Sequence, residues 1–542
     1  MAPRTSRTPR APRAPRKAAA SRSRASLRRP LSWSPYQAAV FAAAEDGTGG
    51  HLAIDAVAGS GKTTTLVELA ARVSGETAIV AFSKKIEREL SSRVEGCDDI
   101  RVMTTYSAGY AAVRAELARR GSKAGKIDSG KYGRIVRRMV RAMVGGEPVR
   151  GVPRLDREAR EQWGDGRDVA GVLARWLDLA RLTVRDLADD DAVIAVAGEH
   201  GLLHPAVYHP AGIAVLRAAD AEGEAAALSG AMDFSDMIVV PWRLHLPAAA
   251  TYSWVMVDEA QDLSPPQRAI VRAMLRPGGR LVAVGDPHQA IFAFAGASSD
   301  SWRQIVDDFG PRELPLSVCY RCARSIVEAA RAYVPHLEPR EDAPEGVIRD
   351  LGEAGLPGDV RDGDMVVCRT TAPLVTSCLR TIAAGKPAAI LGRDIGAGLA
   401  AACEAIRDLR LVGDLPAQIA EWERQQRETA ERRGARESAM IAIADRADTL
   451  RALAVRGVET WDQVMDRIAD IFSDDRASVT FATIHRAKGL EADRVYWLRP
   501  ELVPHPMARG ASRAQEDHLA YIAITRAMRE LVMVAGAAAE AE

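Results

Sequence analysis

Cysteine is scarce in this chain of 542 residues, which carries six: Cys97, Cys319, Cys322, Cys368, Cys378 and Cys403. No secretory signal precedes them, so reduced thiols in a cytosol are expected rather than a disulfide framework. Cys319-Tyr320-Arg321-Cys322 is a lone C-x-x-C. A structural metal needs a second pair at comparable spacing, and the sequence offers none. Long apolar runs are also missing: no stretch approaches the length of a membrane span, so no membrane partner is expected. No repeat recurs at a solenoid period. What remains is an ordinary globular composition, 47% hydrophobic and 27% charged. The length is too great for one core and calls for two to four domains.

Charge is balanced overall and unbalanced locally. The net charge is +1, yet residues 1–30 hold ten Lys/Arg and no acid, which leaves the rest of the chain at −9. This Arg/Pro/Ala/Ser segment has almost nothing to bury and is expected to be a disordered basic tail. It reads as an arm that holds nucleic-acid phosphates through counterion release, or as a biased tail without a specific partner. Its regular prolines argue against the amphipathic helix of a transit peptide.

Strand-like apolar runs alternate with helical patterns from about Leu31 onward. The runs fall at Leu52–Val57, Ala78–Phe82, Trp254–Val257, Leu281–Val284, Met365–Cys368, Val479–Thr483, Arg494–Leu498 and Leu531–Ala535. Such alternation predicts parallel sheets, which bind ligands at the carboxyl ends of their strands. The simplest division is two α/β cores, each interrupted by helices. The first core takes residues 31–106 and 226–313, around a helical insertion at 107–225. The second takes 314–398 and 471–542, around a smaller charged helical insertion at 399–470.

Residues Ala56 to Thr63 read Ala-Val-Ala-Gly-Ser-Gly-Lys-Thr between a strand pattern and the helical spacing of Leu66, Leu69, Ala70 and Val73. This is a phosphate-binding loop: backbone N–H groups of Ala58, Gly59, Ser60 and Gly61 face phosphate oxygens, with Thr64 following. Lys62 reaches the β/γ-phosphates and the Thr63 hydroxyl ligates Mg²⁺. ATP and Mg²⁺ are therefore the expected cofactors. Val257-Asp258-Glu259-Ala260-Gln261-Asp262 follows another apolar run. Alone it would fit an acidic helix N-terminus. Opposite a phosphate loop it predicts Asp258 on the metal, directly or through water, and Glu259 as the base that orients the attacking water.

These two motifs and five further segments, in order from about Leu31 to Gly536, resemble the UvrD/Rep-like superfamily 1 DNA helicases. The resemblance implies two RecA-like P-loop domains with ATP in the cleft between them. It gives Gln37 the role of reading adenine. It places Ala81-Phe82-Ser83-Lys84-Lys85, with Phe82 and Lys84, on DNA, together with Thr105. Gly285 to Gly296 looks like the segment that links ATP state to DNA, with Gln289 sensing the γ-phosphate and Phe294 facing bases. Tyr320 would stack on adenine and Arg321 reach the γ-phosphate, which makes the flanking cysteines bystanders. Thr483 to Glu491 looks like the next motif, with His485 near DNA and Glu491 near the ribose. Tyr521 to Ala527 looks like the last, with Arg526 as an arginine finger. Ala293, Ala295, Tyr106 and Arg486 depart from the pattern. The short 399–470 segment resembles the smaller members, including the F-box helicase-like branch.

The expectation is an ATP-dependent helicase moving 3′→5′ on single-stranded DNA and at single/double-strand junctions. It would act in repair, replication or recombination, with repair or replication proteins as partners and a monomer or weak dimer as the active form. Phe82 and Phe294 would stack bases, or else serve as core phenylalanines. The Ala/Arg-rich composition suggests a bacterial or phage source and a cytoplasmic location. The alternatives are a translocase that strips proteins with little unwinding, and an ATP-gated DNA-binding module without turnover.

Overall fold

A computed structural model describes Arg24 and residues 32–536, apart from 48, 184–185, 200–205, 207–208, 292–300, 433–436, 456, 474–476, 507 and 509. Two all-parallel sheets organise the chain. The first holds β1 (Leu52–Ala56), β2 (Thr77–Ala81), β3 (Ile100–Thr104), β4 (Tyr252–Val257), β5 (Leu275–Gly285) and β6 (Arg312–Leu316), in the order β3-β2-β4-β5-β1-β6. A small pair, β7 (Val318–Cys319) and β8 (Glu338–Pro339), lies between the sheets in sequence. The second sheet holds β9 (Val347–Gly352), β10 (Met365–Cys368), β11 (Ala388–Leu391), β12 (Phe472–Ser473), β13 (Val479–Thr483), β14 (Ala492–Leu498) and β15 (Ala527–Ala535), in the order β12-β11-β13-β10-β14-β15-β9. Central strands such as β2, β10 and β13 are buried along their whole length, as expected where helices cover both faces of a parallel sheet. The fold is α/β with two RecA-like parallel-sheet cores. The position 313/314, where the second core was expected to begin, falls inside β6, which pairs with β1 from Leu52↔Arg312 to Ala56↔Leu316.

Both insertions are helical. Between β3 and β4 the helices Lys131–Val144, Arg167–Leu182 and Pro210–Ala227 bury Tyr132, Val136, Leu173, Trp176 and Leu216 against one another. Their polar anchor is a knot of charge. Asp236 takes hydrogen bonds from Tyr132 at 2.7 Å and Arg181 at 2.8 Å and an ion pair from Lys131. Between β11 and β12 the helices Arg393–Asp408, Leu415–Arg432, Glu437–Leu453 and Trp461–Ile471 pack mainly on the second core, with a small cluster of their own at Ala430 and Ile443. Leu399, Ile406, Ile419, Trp422, Leu450 and Val464 belong to the same hydrophobic cluster as Val366 of β10 and Phe481 of β13.

Within the basic N-terminal segment, Arg24 is described and is docked. Its guanidinium donates to Asp99 Oδ2 at 2.6 Å, to the carbonyls of Val73 at 2.5 Å and Ala70 at 3.0 Å, and to Gly75 O at 2.6 Å. It thereby satisfies carbonyls at the end of the helix Lys62–Arg72, where cations are favoured. The rest of residues 1–31 lies outside the described residues. Among the described residues no helix is long and apolar enough to cross a membrane.

Candidate active site between the two cores

Every chemical motif of the first core leaves the carboxyl end of a strand. The phosphate loop follows β1, Phe82 follows β2, Thr105 follows β3, Asp258 follows β4 and Asp286 follows β5. This convergence is what a parallel sheet provides at its strand ends. The loop is shaped by glycines with left-handed backbone, φ +70° at Gly59 and +79° at Gly61. Gly59 is required twice over, since a Cβ there would lie 2.7 Å from Cβ of Arg321 and 2.9 Å from Sγ of Cys319. The second core rests directly on the loop at that point, and Tyr320 N–H donates to Gly59 O at 2.8 Å.

Lys62 opens the helix Lys62–Arg72, and its ammonium donates to Ala56 O at 2.8 Å and Val57 O at 3.3 Å, 3.8 Å from Asp286 Oδ2. The Thr63 hydroxyl donates to Asp258 Oδ2 at 3.3 Å. Two adjacent hard oxygens of this kind suit Mg²⁺, so Thr63 and Asp258 are the residues that would hold it. Burial and the neighbouring Glu259 carboxylate push the Asp258 carboxyl up. Burial would also raise Glu259, but the charges of Lys62, Lys488 and Arg526 and a 2.6 Å hydrogen bond from Gln261 Nε2 outweigh it and hold that carboxyl below its ordinary value. Of the two, Glu259 stays ionised and can accept a proton from water. Its backbone is left-handed, φ +53°, a strained conformation for a non-glycine residue and one that clusters at functional sites. Gln261 also accepts from Asp286 N–H at 3.1 Å, tying the β4 and β5 strand ends together.

Gln37 lies on the loop's other flank. Its Nε2 donates to Thr65 Oγ1 at 3.0 Å, and its Oε1 accepts from Ser34 N–H at 3.1 Å and from the Tyr320 hydroxyl at 3.3 Å. Adenine-reading and adenine-stacking candidates from different cores are thus in contact.

From the second core, Arg321 pairs with Glu491 at 2.6 Å. Arg526 is 1% exposed and donates to Ile522 O at 3.1 Å, Leu490 O at 3.0 Å and Thr525 Oγ1 at 3.3 Å. Burial, then the nearby Arg321 charge, brings its guanidinium down to about 10. Gln289 is buried, with Nε2 on Asp286 Oδ2 at 2.6 Å and its carbonyl on Lys488.

Two residues that sequence reasoning had only inside motif strings bridge the cores. The Tyr521 hydroxyl accepts Ala58 N–H of the phosphate loop at 2.7 Å and donates to Asp286 Oδ2 at 3.3 Å. The Lys488 ammonium sits 2.6 Å from Asp262 Oδ2 and 2.7 Å from Gln289 O. Both lie inside motif segments that were assigned roles; a tyrosine five residues before the candidate finger Arg526 was the available signal.

The expected DNA-facing residues are less uniform. Phe82 is 40% exposed at the end of β2, and Lys84 is exposed beside Glu87 at 2.6 Å. Thr105 is buried, its hydroxyl accepting from Gln267 at 3.0 Å. Burial and the charge of Arg369 push the His485 imidazole down to about 3, so it is neutral at physiological pH. Phe294, with Ala293 and Ala295, lies outside the described residues. The C-x-x-C thiols are buried, with Cys322 N–H donating to Cys319 Sγ at 3.4 Å.

A phosphate loop in one RecA-like core, closed against basic residues of a second such core, defines a two-core P-loop protein. Comparison with known families refines that class. The UvrD/REP helicase N-terminal domain matches residues 214–310, and the UvrD-like helicase C-terminal domain matches 460–537. The F-box DNA helicase protein 1 of Schizosaccharomyces pombe is 26% identical over 52% of this chain and 34% of its own length. The ATP-dependent DNA helicase UvrD2 of Mycobacterium tuberculosis is 24% identical over 89% of this chain and 76% of its own. DNA helicase II of Escherichia coli is 28% identical over 20% of this chain and 16% of its own. Over these segments the chain is similar to the UvrD/Rep-like helicases, and it spans about a third of the length of the Schizosaccharomyces pombe relative.

Proposed function

We propose that the protein is an ATP-dependent DNA helicase or translocase that steps along single-stranded DNA. The observation that carries the reading is the composition of the cleft. Lys62, Thr63, Asp258 and Glu259 of the first core share a cleft with Arg321, which packs on Gly59 of the phosphate loop, and with Arg526, whose charge acts on Glu259, a set suited to a nucleoside triphosphate. The loop and Lys62 bind the phosphates, Thr63 and Asp258 hold Mg²⁺, and Glu259 takes the proton of the attacking water. The metal supplies charge neutralisation on the phosphate oxygens. Arg321 and Arg526 stabilise the charge that develops on the transferring phosphoryl group. In the structure Arg321 is paired with Glu491, so engagement of phosphate exchanges one anion for another. Tyr521, Lys488 and Arg526 lie on the second core yet touch or approach the first, so opening and closing of the cleft changes both together. If the cores grip DNA alternately through Phe82, Lys84 and the Thr483–His485 segment, each ATP cycle moves the strand. The direction, 3′→5′, is taken from the resemblance to the UvrD/Rep-like helicases.

A second reading, a translocase that strips bound proteins and unwinds poorly, draws on the 399–470 helices. Among the described residues, most of their buried side chains share the hydrophobic cluster of the second core, which favours tracking on a single strand over handling a duplex. Strand separation on a 3′-tailed duplex, measured beside displacement of a protein block from single strands, distinguishes the two. ATP hydrolysis indifferent to single-stranded DNA would remove both.

A further inference from the structure

Asp55, His288 and His336 meet from three separate segments. Asp55 is the penultimate residue of β1, immediately before the Ala56 carbonyl that receives Lys62. His288 lies in the short turn Pro287–Gln289 after β5. His336 follows the helix Arg324–Ala330, whose neighbours Val334 and Leu337 are buried with the second core. One donor atom from each of the three lies within 4.8 Å of the others. The two imidazole rings are 5.7 Å apart between centroids. Asp55 Oδ1 is buried and has no hydrogen-bond partner. An orphaned buried carboxylate oxygen has a desolvation cost that a cation would offset.

The donor set selects the ion. One carboxylate oxygen and two imidazole nitrogens suit a borderline divalent metal such as Zn²⁺, whereas the all-oxygen pair Thr63/Asp258 suits Mg²⁺. Donors about 2.0–2.1 Å from a tetrahedral ion lie roughly 3.3 Å apart, so the three donors, within 4.8 Å of one another, close on an ion by side-chain adjustment, for which the exposed His336 has the most room. The site also has support around it. His288 N–H donates to Asp286 Oδ1 at 3.0 Å, and the rings of His518 and Tyr521 stand edge-on to His288 at 6.0 and 6.4 Å.

We propose that Asp55, His288 and His336 bind a single Zn²⁺ ion that bridges the first core to the second beside the phosphate loop. Two ligands belong to one core and one to the other, so the bound ion restrains opening of the cleft and slows ATP turnover. That consequence rests on the motor reading above; the binding itself does not.

The test uses the full chain without nucleotide. Zn²⁺ is titrated by calorimetry, and Co²⁺ is added as a spectroscopic stand-in. Expected are one ion per chain and a Co²⁺ spectrum free of thiolate charge transfer. His336→Ala and Asp55→Asn should each weaken binding by at least the roughly 10–100-fold that loss of a ligand's supporting partner costs. His336 is exposed, so His336→Ala should keep its melting temperature and remain informative if Asp55→Asn is poorly folded. Affinity unchanged in His336→Ala, or a thiolate band abolished by Cys319→Ser, would overturn the proposal. In the ATPase assay Zn²⁺ should inhibit the wild type and spare His336→Ala, and equal inhibition of both would overturn the bridge. A chain that binds Zn²⁺ as described but hydrolyses no ATP would refute the motor reading and leave the site standing.

Discussion

Two clusters of buried charge in this molecule are handled in opposite ways. In the first insertion, Lys131, Arg181, Asp220, Asp233 and Asp236 form a closed knot. Arg181 is fully buried and divides its guanidinium among Asp236 at 2.8 Å, Ser235 at 3.1 Å and Asp220. Asp236 further accepts Asp233 N–H at 2.8 Å, and Asp220 holds Arg243 at 2.6 Å. In the cleft, Arg526 is equally buried, but among the described residues no carboxylate lies within ion-pair distance of it. Lys62 donates to backbone carbonyls and lies 3.8 Å from Asp286 Oδ2, and Ser60 Oγ and Asp262 Oδ1 have no hydrogen-bond partner. Buried ions are tolerated when their partners are complete, as in the knot. Where partners are incomplete and the groups converge on one space, the missing partner is a ligand. The knot holds two bodies together; the cleft is built to receive charge.

This contrast can be broken by mutation. Arg526→Ala should lower kcat by about 10³–10⁵, with a much smaller effect on ATP binding. Equal losses in both would make Arg526 a packing residue, like Arg181. Arg181→Ala should do the reverse. It should destabilise the fold by about 3–5 kcal/mol because Asp236 and Asp220 lose a buried partner. Activity per folded molecule should stay near the wild type, which denaturant melts and a specific-activity measurement can check. Tyr521→Phe leaves the Ala58 N–H of the phosphate loop without its acceptor. That costs about 1–3 kcal/mol, read as weaker nucleotide binding or a lower melting temperature, and no change in either would remove Tyr521 from the bridge. Deleting residues 1–30 removes Arg24, 12% exposed beside the half-exposed Asp99, together with its bonds to the carbonyls of Ala70 and Val73, and should lower stability by about 1–2 kcal/mol. It should also flatten the salt dependence of DNA binding, and an unchanged slope would favour a tail without a nucleic-acid role.

The placement of the cleft residues was legible in the sequence because phosphate and metal binding demand particular residue types at strand ends. The Ala56–Thr63 loop and Asp258-Glu259 sit where the apolar runs end, as read. The edges of the sheets were not legible. Strand β9 pairs along its length with β15, but its Val-Ile-Arg-Asp-Leu-Gly is largely exposed and presents no apolar run. Strand β3 is interrupted by Arg101, and the edge strand β12 is only two residues long. Strand β6 carries Pro315, which an edge strand tolerates, and so it read as the start of the second core rather than the rim of the first. Contacts across the cleft were hidden for a different reason. Tyr521 meets Ala58 across 463 positions of sequence, and Lys488 meets Asp262 across 226. No local pattern encodes such a meeting; only closure of the two cores creates it.

The central claim is that the cleft between the cores hydrolyses ATP under the control of single-stranded DNA. The most direct test is steady-state ATP hydrolysis by the wild type, Lys62→Ala and Glu259→Gln, each with and without single-stranded DNA. The motor reading requires strong stimulation of the wild type by DNA. It also requires loss of turnover in both variants, with Glu259→Gln falling by about 10²–10⁴ while still binding nucleotide. DNA-independent hydrolysis in the wild type, or full turnover in Glu259→Gln, would contradict it.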